Sequence, residues 1–190
     1  MRSGGICSCV GGTGHRPCPP TIAGGTERTM SEVNAATEPE LLVVEPVTTA
    51  AVRDVVPMSA IRDFFDTSFS TIAGVLAAQS VAPTGAAFGL YHQPPGDTLD
   101  IEVGFPTDRA VQPEGPVFVG TLPGGRVARS IHVGGFDGLG SSWERLREWI
   151  QRQGLTPGPV MWEVYLVEPA PDMDPSALRT ELNWTLADQS

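Results

Sequence analysis

Gly158-Pro159-Val160-Met161-Trp162-Glu163-Val164-Tyr165-Leu166 sets a single carboxylate inside an otherwise apolar run. Read as a β-strand, its period of two sends Met161, Glu163, Tyr165 and Val167 to one face and Trp162, Val164 and Leu166 to the other. Both faces are mainly apolar, so both are expected to be covered. A carboxylate in such a strand must find a partner, take up a proton, or await a ligand that supplies the missing interaction.

Working outward, the neighbouring segments fall into two similar halves. Glu40 to Asp54 is rich in Val, Leu and Thr and reads as a strand broken at Pro46. Ser59 is the expected N-cap of a helix whose apolar stripe runs through Ile61, Phe64, Phe65, Phe69, Ile72, Val75 and Leu76 and ends before Pro83. Strands follow over Thr84 to His92 and Thr98 to Phe105, joined by the turn Pro94-Pro95-Gly96-Asp97.

After a Pro/Gly-rich linker the order repeats. Val117 to Leu122 and Arg126 to Val133 read as strands, and Gly134 to Gly138 breaks into a helix over about Leu139 to Gln153. That helix buries Leu139, Trp143, Leu146 and Ile150, pairs Glu148 with Arg152, and ends at Gly154. Met161 to Val167 and Arg179 to Leu186 complete the second half. Gly89-Leu90-Tyr91-His92 stands where Glu163-Val164-Tyr165-Leu166 stands, and Glu102-Val103 where Glu181-Leu182 stands.

The duplication predicts an α+β fold: two strand-helix-strand-strand units joined into one antiparallel sheet, both helices on one face. A cleft is expected at the pseudo-twofold seam, on the uncovered face. Gly89 opposite Glu163 would leave space there, with Tyr91 and Tyr165 on the same side.

The chain has 190 residues, 41% of them hydrophobic, enough for one well-buried domain. Its net charge of −10 comes from 22 acidic against 12 basic residues, all of the latter arginine. This balance argues against nucleic acid and anionic membrane as direct partners, since phosphate binding requires a basic surface. No apolar run approaches the roughly 18–20 residues of a membrane span, and no apolar segment follows Met1-Arg2 as in a secretory leader. A cytoplasmic protein is the expectation, consistent with three cysteines confined to the first 18 positions.

Residues 1–39 read as an unstructured Gly/Pro-rich tail, with Met30 an alternative start, and residues 40–190 as the working domain. Cys7, Cys9, Cys18 and His15 invite a zinc reading, but the spacing lacks two knuckles, and no metal is expected. Gly124-Gly125 and Gly134-Gly135 are turn glycines without phosphate-loop spacing, and no cofactor is expected. No serine or cysteine occupies a nucleophile turn, and His92 and His132 lie beside different strand ends.

Several segments together resemble the GyrI-like effector-binding family, also found as the ligand domain of AraC-type and multidrug-responsive regulators. They are Leu122-Pro123-Gly124-Gly125-Arg126-Val127-Ala128, His132 to Leu139, Trp162 to Pro169, Asp100 to Pro106 and Arg179 to Trp184. The likeness covers about Leu41 to Leu186. It implies a ligand groove between the repeats with a glutamate at its floor, which maps onto Glu163, and small aromatic or cationic guests. Some stand-alone relatives hydrolyse strained cyclopropane compounds with a pocket glutamate and aromatic side chains. Asn183 departs from the family pattern, where an aromatic residue is common. Regulators of the family carry a DNA-binding domain in front, whereas only the Gly/Pro tail precedes the domain here, so direct DNA binding is not expected.

The candidate ligand-binding residues are thus Glu163, Tyr165, Tyr91, Gly89, Met161, Trp143, Glu102 and Asn183. For Glu163 the competing reading is an ion pair with Arg126 or Arg129; for the tyrosines and Trp143 it is core packing; for Glu102 it is a solvated or Arg-paired position. The favoured function is a stand-alone binder of an amphipathic or cationic aromatic molecule. The alternatives are a cyclopropane-opening hydrolase using Glu163, Tyr165 and Tyr91, and an inhibitor of a protein partner such as a topoisomerase.

Overall fold

In a computed structural model, the structure describes residues 38–167 and 173–187. The N-terminal cysteines, His15 and the end of the Trp162 to Pro169 segment lie outside the described residues. Eight strands and two helices follow in order: β1 (Glu40–Val44), β2 (Val47–Pro57), α1 (Ile61–Gln79), β3 (Phe88–Tyr91), β4 (Thr98–Pro106), β5 (Phe118–Leu122), β6 (Gly125–Val133), α2 (Leu139–Arg152), β7 (Pro157–Tyr165) and β8 (Arg179–Leu186). All pairings are antiparallel and make one curled sheet in the order β1-β6-β8-β7-β3-β4-β2-β5. This is the expected α+β duplication.

The N-cap expected at Ser59 and the strand start expected at Thr84 shift, while α1 ends before Pro83 as expected. Ser59 lies in a 3-10 turn ahead of α1, whose N-cap is Ala60 with no side-chain hydrogen bond. The helix stops at Gln79, where Ser80 turns left-handed (φ 53°) and Val81 N–H closes onto the Leu76 carbonyl. The strand expected from Thr84 begins only at Phe88.

The registers carry a pseudo-twofold symmetry. Leu90 faces Glu102 in the first repeat as Val164 faces Glu181 in the second, and Ala51 faces Gly104 as Arg129 faces Asn183. Between the repeats, β3 meets β7 with Gly89 directly opposite Glu163, so the axis passes between those two residues. The short leading strands are exchanged: β1 adds to β6 of the second repeat, and β5 to β2 of the first. Pro46, between β1 and β2, prevents a continuous strand. It lies against Gly124, where an added Cβ would come within 2.6 Å of the Pro46 Cδ and 2.8 Å of its nitrogen. Glycine at this position lets the two exchanged connections cross.

Each helix covers its own repeat: α1 lies on β2 and β4, α2 on β6 and β7. Under them lies an apolar layer including Ile72, Leu76, Leu99, Ile101, Val103, Leu146 and Ile150. The opposite face is not bare either. Phe88, Leu90, Leu122, Val127 and Trp162 pack together inside the curl, which agrees with the apolar runs on both faces of β7. No helix among the described residues is long and apolar enough to cross a membrane.

Candidate functional site

Strand alternation and the sheet register together decide what surrounds Glu163. Its face of β7 is the helix-covered one, shared with Met161 and, across β3, with Tyr91. Glu163 therefore lies on the helix-covered face, not on the uncovered face where the cleft was expected. Glu163 is 3% exposed. The Trp143 indole N–H, from α2, donates to Glu163 Oε1 at 3.0 Å, and the Tyr165 hydroxyl donates to Oε2 at 3.0 Å. Among the described residues no arginine caps it: Arg129 instead holds Glu181 and Asn183.

Charge and burial oppose each other here. Burial raises the Glu163 carboxyl above its ordinary range, and hydrogen bonds from Trp143, Tyr165 and Tyr91 pull it back only in part. Burial, then the neighbouring Glu163 charge, pushes both tyrosine phenols well above theirs. Among the described residues, the groups hydrogen-bonded to this carboxyl are all neutral donors.

Gly89 makes this arrangement possible. An added Cβ would stand 2.7 Å from the Tyr165 hydroxyl oxygen and 3.4 Å from Phe65 Cζ. The space expected above Gly89 is thus occupied by the tip of Tyr165. Phe65 and Phe136 meet the Tyr165 ring edge-on at 5.9 and 6.1 Å, and Phe136 is 46% exposed on the solvent side. Trp143 stacks edge-on against Trp184 at 5.6 Å. Two surface cavities, of about 280 and 380 Å³, lie elsewhere, lined by residues such as Arg145 and Trp149 or Val52 and Phe64. Glu163 is closed over by aromatic rings.

The structure gathers Glu163, Tyr165, Tyr91, Gly89, Met161 and Trp143. It separates Glu102 and Asn183 from them. Glu102 is in register with Leu90 and Asn183 with Trp162, so both side chains leave the sheet on the face away from the helices. Asn183 is fully buried there, accepting from Arg129 Nε at 2.8 Å and donating to Glu181 Oε1 at 2.9 Å. Phe65 and Phe136 were not legible as site residues: one belongs to the core stripe of α1, the other to a glycine-rich turn.

A buried histidine–serine pair is also present. His132 Nε2 donates to the Gly135 carbonyl at 2.9 Å, which leaves Nδ1 to accept from the Ser142 hydroxyl at 2.8 Å. The Arg145 guanidinium donates to the same Ser142 oxygen at 2.6 Å, and Ser142 is fully buried. This cluster anchors the start of α2 and presents no accessible nucleophile.

Residues 37–186 match the family described as GyrI-like small molecule binding domain. No curated protein matches the sequence. Among solved structures, the EcmrR C-terminal domain is 18% identical with a TM-score of 0.71, covering 80% of this chain and 98% of that one. EcmrR in its DNA complex gives 19% and 0.70, but this chain spans only 57% of that chain's length. A hydrolase from Listeria innocua is 13% identical at a TM-score of 0.60, covering 79% and 92%. SAV2435 bound to tetraphenylphosphonium is 15% identical at 0.56, covering 79% and 94%. At these identities the likeness is one of fold.

Proposed function

The chain belongs to the GyrI-like family of small-molecule-binding domains, and on that premise we propose that it holds an amphipathic, cationic aromatic compound against Glu163. The observation that carries this reading is the buried carboxyl group hydrogen-bonded by Trp143 and Tyr165, neutral donors, with no arginine capping it among the described residues. A guest cation supplies the charge those donors lack. Tyr165 gives up its place over Gly89, and Phe136, exposed at the rim, moves with it. The rings of Tyr91, Tyr165 and Phe65 then offer faces to the cation, at about 0.5–2 kcal/mol each.

A cation about 4 Å from Glu163 gains roughly 4 kcal/mol at an effective dielectric near 20, before desolvation is charged against it. If a third of that survives, Glu163→Gln weakens binding about tenfold. Tetraphenylphosphonium, the compound bound to the fold neighbour SAV2435, is a suitable probe, with intrinsic tryptophan fluorescence, to which Trp143 contributes, as the readout. Saturable quenching in the wild type and at least tenfold weaker quenching in Glu163→Gln are expected. Equal affinity in the two proteins rejects the assignment.

A second reading, hydrolysis of a strained electrophile, draws on the raised Glu163 carboxyl beside two tyrosine hydroxyls. Glu163 would take a proton from water as the water opens the ring, and a tyrosine hydroxyl would donate to the developing charge. Incubation with a cyclopropane-bearing aromatic compound, followed by mass spectrometry, separates the readings. A gain of the mass of water that disappears in Glu163→Gln supports hydrolysis; binding without that product supports the binder.

A further inference from the structure

The pseudo-twofold symmetry relates the two surface cavities to each other. Ala51 is equivalent to Arg129, Phe118 to Glu40, and Ile61 at the head of α1 to Leu139 at the head of α2, all at one residue spacing. At that spacing Val52, Thr67, Thr71 and Pro116, which line the cavity of about 380 Å³, are the counterparts of Ser130, Arg145, Trp149 and Glu38, which line the one of about 280 Å³. The two cavities are thus one trough made twice, between each helix and the strand that precedes it.

The two copies are furnished differently. In the second repeat the Arg145 guanidinium donates to Ser142 Oγ at 2.6 Å, and the half-buried Trp149 packs against the core beside it. In the first repeat both large side chains give way to threonine, and the trough is wider. Its polar lining finds little to bind within the protein. Ser68 is 4% exposed, and its hydroxyl makes no hydrogen bond among the described residues. Asp54 and Asp63 line the same trough, and among the described residues neither is ion-paired; Asp54 Oδ1 accepts from the Val55 N–H at 2.7 Å. The neighbouring Arg53 is committed to Asp100 by two bonds of 2.8 Å. Val52, Val56 and Phe64 supply an apolar wall. Pairing of β5 with β2 ends at Ala51, so among the described residues the remainder of β2 is an open edge from which the trough is entered.

We propose that the trough between α1 and β2 is a second ligand site, separate from Glu163, which takes a planar cation: a guanidinium or amidinium borne on a flat apolar group. Those are the two pieces that the second repeat supplies from its own chain, through Arg145 and Trp149, and that Thr67 and Thr71 leave out. Asp54 and Asp63 provide the counter-charge and the Ser68 hydroxyl a neutral acceptor, a set that suits the several N–H donors of a planar cation. Phe64 and the two valines take the apolar part of the guest. An anion is repelled by the two carboxylates. A bare ammonium ion leaves the apolar wall in water, and no cluster of three potential metal ligands occurs among the described residues.

Amide NMR titration of isotope-labelled protein tests this with benzamidine, against benzamide as its neutral isostere. Saturable shifts with benzamidine are expected at Val52, Val56, Phe64, Thr67 and Ser68, with benzamide binding about fivefold or more weakly, since exposed carboxylates contribute modestly. Thr67→Arg installs the residue of the second repeat at an exposed helical position and should abolish the shifts by filling the trough. Joint replacement Asp54→Asn and Asp63→Asn should bring benzamidine down to the level of benzamide, while Glu163→Gln should leave its binding at these residues unchanged. The proposal fails if benzamide matches benzamidine, if the shifts are absent or gather around Glu163 instead, or if Thr67→Arg binds as the wild type does. Because the shifts report the location of the guest, failure here and failure of the Glu163 assignment are distinguishable.

Discussion

Gly89→Ala is the sharpest probe of the closed arrangement at the symmetry axis. The new methyl would stand 2.7 Å from the Tyr165 oxygen, well inside contact distance, while Phe65 Cζ at 3.4 Å and Ile101 Cδ1 at 3.7 Å leave it no other way to go. Tyr165 must swing off Glu163, forfeiting the 3.0 Å bond to Oε2. A hydrogen bond to a charged group contributes about 1.5–3 kcal/mol, and replacing glycine in an extended strand returns about 0.4–1 kcal/mol through the unfolded chain. The net loss is about 0.5–2.6 kcal/mol, to be read as a lower urea midpoint at unchanged slope. The control is a double-mutant cycle with Tyr165→Phe, which removes the clashing oxygen. In that background Gly89→Ala should cost little or even stabilise, giving a coupling of 1 kcal/mol or more. An equal cost in both backgrounds would refute the claim that the tyrosine tip fills the space over Gly89.

Glu163→Gln should change how stability depends on pH. A carboxyl raised by burial binds its proton more tightly when folded, so wild-type stability falls as pH climbs from the ordinary glutamate range through the higher folded value, then levels off. The glutamine variant should lack that fall and gain on the wild type across the same window; parallel curves would contradict the raised value. Trp143→Phe leaves Glu163 Oε1 without its donor and should cost about 1–3 kcal/mol at neutral pH, with a smaller penalty in acid where the carboxyl is protonated. A pH-independent cost would assign Trp143 to packing alone. Gly124→Ala sets a methyl against the Pro46 ring and its backbone nitrogen and should cost about 1–3 kcal/mol as overpacking. Wild-type stability in that variant would mean that the exchanged connections can separate at no cost.

The sequence by itself determined the order of elements, their approximate ends, the twofold repeat, and the isolation of Glu163. These follow from short-range regularities: period two in β7, the 3.6 period of α1 and α2, and chain breaks at Pro46, Gly134 and Gly154. The echo between Gly89 and Glu163 was legible as well, because repeated units carry their registers with them. What only the tertiary structure decided depends on how distant segments close on one another. Alternation along β4 parts Glu102 from Ile101 and Val103, but does not say which face the helices take or which face Glu163 shares; the pairing of β3 with both β4 and β7, and of β7 with β8, sets those relations and parts Glu102 and Asn183 from Glu163. No local pattern marks the exchange of β1 and β5, since either edge would satisfy their hydrogen bonds equally. The Trp143 bond to Glu163 joins residues on separate elements, and a tryptophan in a helix's apolar stripe reads as packing until the strand beneath it is known. The buried Glu102 Oε1, without a hydrogen-bond partner among the described residues, could not be foreseen either, because hydrogen-bond partners are three-dimensional neighbours and not sequence neighbours.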